Sequence, residues 1–255
     1  MLRKLLPSLF SPLTLLPDGP RRAVVRRLLD TVWGHYADIH VEGLEQVPPD
    51  PVLYVCNHLS NADGLTLQRA LRPRRAWFLA GVKLQQTAMT RLATETVDTI
   101  FIRPGSPDIE ALRRAVDTLK EGRSILVFPE GGRSRSGALM RAQKGVSLIA
   151  QRAGVPIVPV AMTGTEKLMP INDANMGGER LYHARIDVKF GPALSVETLK
   201  AEAHGAEDPR QALTDAVMRA VARLLPPAYR GVYAEPAPGA PEVGPAPTPP
   251  HVPEG

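Results

Sequence analysis

Cys56 is the only cysteine in a chain of 255 residues. No disulfide can form within it, a structural zinc site is not expected, and a reducing compartment is the default. Aromatic residues are scarce, at 5% of the chain, and no basic stretch is interleaved with them, which argues against a protein that stacks on bases and holds nucleic acid. Long apolar runs are missing as well. The most apolar stretch, Leu2 to Leu16, is interrupted by Pro7 and Pro12 and falls short of the roughly 18 to 20 residues that a bilayer-spanning helix needs. Arg3 and Lys4 give it a signal-like start, but Pro17-Asp18-Gly19-Pro20 stands where a small-residue cleavage site would be, so secretion is not expected. No repeat with a period of about 20 to 50 residues is visible, which excludes a solenoid or propeller.

The chain has 31 basic against 26 acidic residues, a net charge of +5 and a pI near 9.5. That balance suits a polyanionic partner: an anionic membrane surface or a phosphorylated substrate. Residues 226–255 hold ten of the 26 prolines and few large apolar side chains, so they are expected to form a disordered tail that cannot offset its ordering entropy. Its charges are Arg230 against Glu235, Glu242 and Glu254, and the positive charge therefore belongs to the folded part. Residues 1–35 read as a membrane-associating segment. Leu2, Leu5, Leu6, Leu9, Phe10, Leu13 and Leu16 make an apolar stripe, and Arg21, Arg22, Arg26 and Arg27 lie among Val24, Val25, Leu28, Leu29 and Val32. Such cationic amphipathic helices bind anionic surfaces, although the same pattern also fits a helical pair packed on its own domain.

Between these flanks, residues 36–225 alternate short apolar runs with helical patterns. This predicts a single α/β domain with a largely parallel or mixed central sheet covered by helices on both faces. The expected strands are Val52–Cys56, Ala76–Ala80, Thr99–Ile102, Ser124–Phe128, Val155–Ala161 and Ile186–Phe190. The clearest helix runs from Pro107 to Glu121, with Ser106 as N-cap and Ile109, Leu112, Val116 and Leu119 on one face. Another is expected to end at Gly154, and a last one to cover Pro209 to Leu225.

Three polar signals follow directly on expected strands. The first is Asn57-His58-Leu59-Ser60-Asn61-Ala62-Asp63, which puts His58 at a carboxyl strand end, where α/β sheets place their sites. If a helix starts nearby, Asp63 can return to the imidazole, fix its tautomer, and leave the second ring nitrogen to take a proton from a hydroxyl. Ser60-x-x-Asp63 is equally a helix capping box. The second is Phe128-Pro129-Glu130-Gly131-Gly132-Arg133-Ser134, where the glycines let a ligand approach the backbone and Arg133 offers a planar fork suited to phosphate. The third is Phe101-Ile102-Arg103, just before a helix start that also favours an anion.

In order and spacing, Asn57-His58-x4-Asp63, Phe101-Ile102-Arg103, residues 128–134 and Val155-Pro156-Ile157-Val158-Pro159-Val160 resemble the four motif blocks of the glycerolipid acyltransferases. Among these, the bacterial 1-acyl-sn-glycerol-3-phosphate acyltransferases look most alike, over about residues 35 to 200. The resemblance implies acyl transfer from acyl-CoA or acyl carrier protein to the sn-2 hydroxyl of a lysophosphatidic acid, giving phosphatidic acid, with no bound metal or cofactor. It would take place peripherally, at the cytoplasmic face of an anionic membrane. By the same resemblance His58 is the general base, Asp63 its orienting partner, and Arg103, Glu130, Gly131, Arg133 and Lys83 form the phosphate subsite. Val155, Pro156 and Pro159 would shape the acyl-donor side or serve structure alone. The loop at Gly131-Gly132 is one candidate for holding the oxyanion. Two departures stand out: Gly132 replaces the family's usual Thr, and Ile102 stands where many members have Asp. A relative acting on another lysolipid, such as a lyso-ornithine lipid, shares this chemistry, and a peripheral lipid-binding protein without turnover is the reading from another class.

Overall fold

The computed structural model describes residues 18–81, 97–103, 108–172 and 179–235. Seven strands form one sheet: β1 Ala37–Glu42, β2 Leu53–Cys56, β3 Trp77–Gly81, β4 Thr99–Ile102, β5 Ile125–Val127, β6 Ile157–Thr163 and β7 Ala184–Phe190. Their order is β1-β7-β6-β2-β5-β3-β4. Strands β2 to β6 are parallel to their neighbours among themselves, whereas β7 pairs antiparallel with β6 and parallel with β1. The sheet is therefore mixed. The carboxyl ends of β2, β4 and β5, where the three polar signals lie, come to one common edge.

The central strands are apolar at every position because both faces are covered, and the period of two divides them cleanly. Leu53, Val55, Ile125, Val127 and Ile157 point into one buried cluster, while Tyr54, Cys56, Leu126, Val158 and Val160 point into the other. The first is roofed by helices α3 Ile109–Lys120, α4 Gly145–Ala153, α6 Val196–Glu202 and α7 Pro209–Leu224, through Ala115, Leu119, Val146, Ile149, Leu199, Val217 and Val221. The second is roofed by α1 Asp18–Tyr36 and α2 Asp63–Ala70, through Trp33, Leu65 and Leu67. A single-turn helix, α5 Thr165–Leu168, follows β6.

Several local expectations need correction. Strand β1 adds to the expected set: Ala-Asp-Ile-His-Val-Glu is half polar and short, and no described strand pairs with its outer edge. Helix α3 starts at Ile109 and is capped by Asp108, whose carboxylate accepts from the Ala111 N–H at 3.2 Å. Ser106 and Pro107 lie outside the described residues, and Ile109 is exposed rather than part of the buried face. Helix α4 ends as expected on Gly154, at φ 67°, a left-handed value glycine adopts without strain.

The amino-terminal flank, read from sequence either as a membrane-associating segment or as helices packed on the domain, is described from residue 18 onward. Residues 18–36 pack on the domain: Val25 and Trp33 are buried, Trp33 Nε1–H donates to Thr66 Oγ1 at 3.1 Å, and Asp30 pairs with Arg69 and Arg72 on or beside α2. No helix among the described residues is long and apolar enough to cross a membrane. The stripe Leu2–Leu16 lies outside them. At the other end, residues 226–235, expected to belong to a disordered tail, are ordered instead, and residues 236–255 lie outside the described residues. Pro227–Tyr229 and Gly231–Tyr233 form two 3-10 turns that return to residues 139–142. The Leu139 N–H donates to Tyr229 O (2.9 Å), the Val232 N–H to Leu139 O (3.2 Å), and the Ala142 N–H to the Tyr233 hydroxyl (3.0 Å), which in turn donates to Asp215 (2.9 Å). Gly231 is required at φ 51°, since a Cβ there would fall 2.1 Å from Leu139 O.

Candidate active site

The loop leaving β2 is fixed before any side chain on it can act. Asn57 docks it to β6, its amide donating to Met162 O and accepting from the Met162 N–H, both at 2.8 Å. Next, the His58 backbone is clamped by the loop after β5: its N–H donates to Glu130 Oε1 at 2.8 Å and its carbonyl accepts from the Ser134 N–H at 2.8 Å. The imidazole stacks on Phe128, with centroids 4.3 Å apart and planes inclined by 18°. Position and orientation of the ring are thus set by β2 and β5 together, which are neighbours in the sheet.

Asp63 opens α2 and its Oδ2 accepts three hydrogen bonds: from His58 Nδ1 at 2.7 Å, the Leu59 N–H at 2.7 Å and the Ser60 N–H at 3.0 Å. The capping function and the histidine partnership, set out as alternatives from sequence, share one oxygen. Its side chain is wholly buried, and that of His58 is 21% exposed. A carboxylate on Nδ1 draws the ring proton there and leaves Nε2 with a lone pair. A buried anion at this distance is placed to stabilise an imidazolium as it forms. Asp63 Oδ1 is buried without a hydrogen-bond partner among the described residues.

Glu130 is also buried, and each of its oxygens accepts from a backbone amide: Oε1 from His58 and Oε2 from Met140, both at 2.8 Å. Burial pushes its carboxyl above the ordinary range, against the opposing pull of those two amides. The structure makes it a clamp between two loops. Both of its oxygens are engaged by backbone amides in this arrangement. Gly131, at φ 72°, spends its N–H on Phe128 O at 3.2 Å, so it is not one of a pair of amides waiting for an oxyanion. A Cβ at Gly132 would meet nothing within 4 Å, so space does not demand the glycine there.

Arg133 is brought to the β2 loop, but with a partner that sequence reading missed. Glu179 Oε1 accepts from Arg133 Nη1 at 3.1 Å and from Asn61 Nδ2 at 2.8 Å, and the two charged side chains are 17% and 4% exposed. A lone carboxylate in a polar connection carries no signal in one sequence. Arg103 reaches the same edge of the sheet, on the outermost strand, three strand spacings or about 14 Å from β2. It is exposed and faces Asp108 at 3.6 Å. Lys83 lies outside the described residues. Val155 and Pro156 precede the amino end of β6, at the sheet edge away from His58, where Pro156 O accepts from the Leu53 N–H at 2.9 Å; Pro159 sits beside Val55 in mid-sheet. Among the described residues no group of three His, Cys, Asp or Glu side chains could hold a metal ion.

Comparison with known proteins gives this geometry a context. The family model described as Acyltransferase matches residues 38–163. The chain is 30% identical over 168 residues to a chloroplastic 1-acyl-sn-glycerol-3-phosphate acyltransferase of Arabidopsis thaliana, covering 62% of this chain and 46% of that protein. It is 32% identical over 127 residues to a lyso-ornithine lipid O-acyltransferase of Pseudomonas aeruginosa, covering 49% and 47%. The chain thus spans about half the length of these two relatives. The crystal structure of the 1-acyl-sn-glycerophosphate acyltransferase of Thermotoga maritima shares the fold, with a TM-score of 0.59 at 24% identity over 81% of this chain and 80% of that one.

Proposed function

We propose, from the match of residues 38–163 to the Acyltransferase family model, that the protein transfers an acyl chain from a thioester, acyl-CoA or acyl carrier protein, to the sn-2 hydroxyl of 1-acyl-sn-glycerol-3-phosphate. The product is phosphatidic acid. The observation that carries the reading is the 2.7 Å contact between His58 Nδ1 and a wholly buried Asp63, at the carboxyl edge of the sheet. His58 Nε2 removes the acceptor's hydroxyl proton as the oxygen attacks the thioester carbonyl. The tetrahedral intermediate then collapses, the C–S bond breaks, and the imidazolium returns the proton to the departing thiolate. Asp63 holds the ring in the productive tautomer throughout. Arg103 and Arg133 meet the head group.

The test is thiol release from palmitoyl-CoA or oleoyl-CoA by the purified protein in mixed micelles, with and without lysophosphatidic acid, repeated with acyl carrier protein as donor. Release that requires the acceptor and yields phosphatidic acid supports the reading; release that persists in His58→Ala overturns the mechanism.

A second acceptor has its own support. The charge of Arg133 is balanced by Glu179, and a charge pair suits a zwitterionic head group, such as that of a lyso-ornithine lipid, better than a dianion.

The acceptor resides in a membrane, and the outward face of α1 is suited to its surface. Arg22, Arg26 and Arg27 are exposed beside Val24 and Leu28, and this reading docks the protein peripherally on the cytoplasmic leaflet. Basic residues near an anionic surface contribute about 1 kcal/mol each. Replacing the three arginines by glutamine should weaken sedimentation with anionic vesicles by about tenfold or more and leave the fold intact. Unchanged binding would show that this face is not the anchor.

A further inference from the structure

We infer that Glu179 is a specificity-determining residue that sets the charge of the head-group subsite, and that it restrains the protein's preference for a phosphate monoester. The inference rests on the acyl-transfer reading above. Its ground is where this carboxylate sits. Asn61, one of its partners, belongs to the loop that joins His58 to Asp63, and Arg133, the other, belongs to the loop that carries Glu130. One buried oxygen therefore bridges the two loops that build the site. At 3.1 Å from the guanidinium it also opposes, locally, the positive charge of Arg133, which precedes Ser134 on the loop that clamps the His58 backbone.

The electrostatic consequence depends on the head group. A phosphate monoester brings roughly two negative charges and must either displace Glu179 from Arg133 or bind beside an anion that is little screened by solvent. A zwitterion, carrying a carboxylate and an ammonium, finds an opposite charge for each end. Arg103 does not alter this balance at short range, because it stands on the outermost strand and faces Asp108. Glu179 thus acts against dianionic acceptors and leaves zwitterionic ones unpenalised.

Glu179→Gln keeps the shape and an accepting oxygen for both partners while removing the charge. Steady-state kinetics on the full chain, with lysophosphatidic acid and a lyso-ornithine lipid as alternative acceptors, are expected to show KM for the phosphate monoester falling about tenfold, the size of one charge-assisted contact. The change should fall on KM rather than kcat, and KM for the zwitterion should not fall. Arg133→Gln alone, which removes the cation and keeps the carboxylate, should raise KM for lysophosphatidic acid; the double variant Arg133→Gln/Glu179→Gln, which removes both charges, should recover most of that loss. A residue that merely braces two loops would give no such rescue. An unchanged acceptor preference in Glu179→Gln, or a double variant no better than Arg133→Gln, overturns the inference.

Binding of inorganic phosphate, followed by its effect on the thermal midpoint, tests the inference without turnover. The Glu179→Gln variant should be stabilised at lower phosphate concentration than the wild type, and an equal response overturns it. Should Glu179→Gln fail to fold, the double variant against Arg133→Gln makes the same comparison. If the wild type transfers acyl chains to neither acceptor, the catalytic reading falls, and the phosphate comparison still decides the role of Glu179.

Discussion

At the end of β2, His58 is held by backbone bonds on both sides, by a ring stack and by a buried carboxylate. At the end of β4, Arg103 is 76% exposed, with Asp108 as its ion-pair partner at 3.6 Å. The two residues share one edge of one sheet and are built in opposite ways. A proton acceptor has to sit within a few tenths of an ångström of its target before the substrate arrives, and that placement is worth making in advance. A cation that meets a lipid head group on the outermost strand works over longer range and gains from a mobile side chain. The difference teaches where rigidity is spent in this fold: on the central strands β2 and β5, where each loop finds a neighbour to hold it, and not on the sheet's margin.

That contrast can be broken in four places. His58→Ala should have the largest effect, a fall in kcat of about 10²–10⁴-fold, or about 3 to 5 kcal/mol of barrier, with the thermal midpoint little changed because the loop is held by its backbone. A variant that unfolds instead would show the imidazole to be part of the scaffold. Next comes truncation. Ending the chain after Leu225 removes Tyr229 and Tyr233 and their bonds to Leu139 and Ala142, and should cost about 3 kcal/mol of stability together with activity. Ending it after Glu235 should cost neither. Equal behaviour of the two truncations would mean that the 3-10 turns do not brace the loop.

Smaller and pH-dependent is the effect of Glu130. Its folded-state carboxyl titrates above the ordinary value of 4.5 because of burial. The folded protein therefore holds this proton more tightly than the unfolded chain does. The stabilisation it brings is fully present below about pH 4.5 and is lost as pH rises through the folded value. Glu130→Gln removes that titration and turns an NH2 toward one of two backbone amides. The stability of wild type over the variant, measured by denaturant unfolding, should accordingly shrink from acid toward neutral pH, and a gap that widens would reverse the assigned cause. Arg103→Gln should be mildest: KM for an anionic acceptor rising about threefold, with a flatter salt dependence and no change in stability, as befits an exposed charge. A loss of kcat instead would place Arg103 at the reacting atoms.

The sites that sequence reading locates are those where the backbone forces an unusual composition. A histidine and an aspartate after an apolar strand, and Pro-Glu-Gly-Gly-Arg after another, are visible because loops at a sheet edge admit residues that neither core nor ordinary surface selects. Helix ends at Gly154 and Pro209 are legible for the same reason: one backbone angle or one missing N–H dictates the residue. What escaped depends on pairing across long separations. Strand β1 owes its place to β7, almost 150 residues on, and its own pattern is half polar. Glu179 is one carboxylate among 26 acidic residues until the fold sets it against Arg133. Composition also hid the segment 227–233: it reads with the proline-rich stretch around it, and its backbone bonds to Leu139 and the two tyrosine hydroxyls, paired with Glu166 and Asp215, appear only in the fold.

That anchored segment bears on how the molecule is made. Ala142 and Tyr233, which close the brace, are 91 residues apart, and the whole of β6, β7 and α7 lies between them. On a ribosome that releases the chain from its amino end, the sheet and the His58–Asp63 loop can assemble while residues 139–142 still wait for their partner. Met140, which secures Glu130 and through it the backbone of His58, lies within that waiting stretch. A structural bond of the catalytic edge thus comes from Tyr233, which emerges long after the reactive residues, so a nascent or prematurely terminated chain carries those residues without the brace that fixes them.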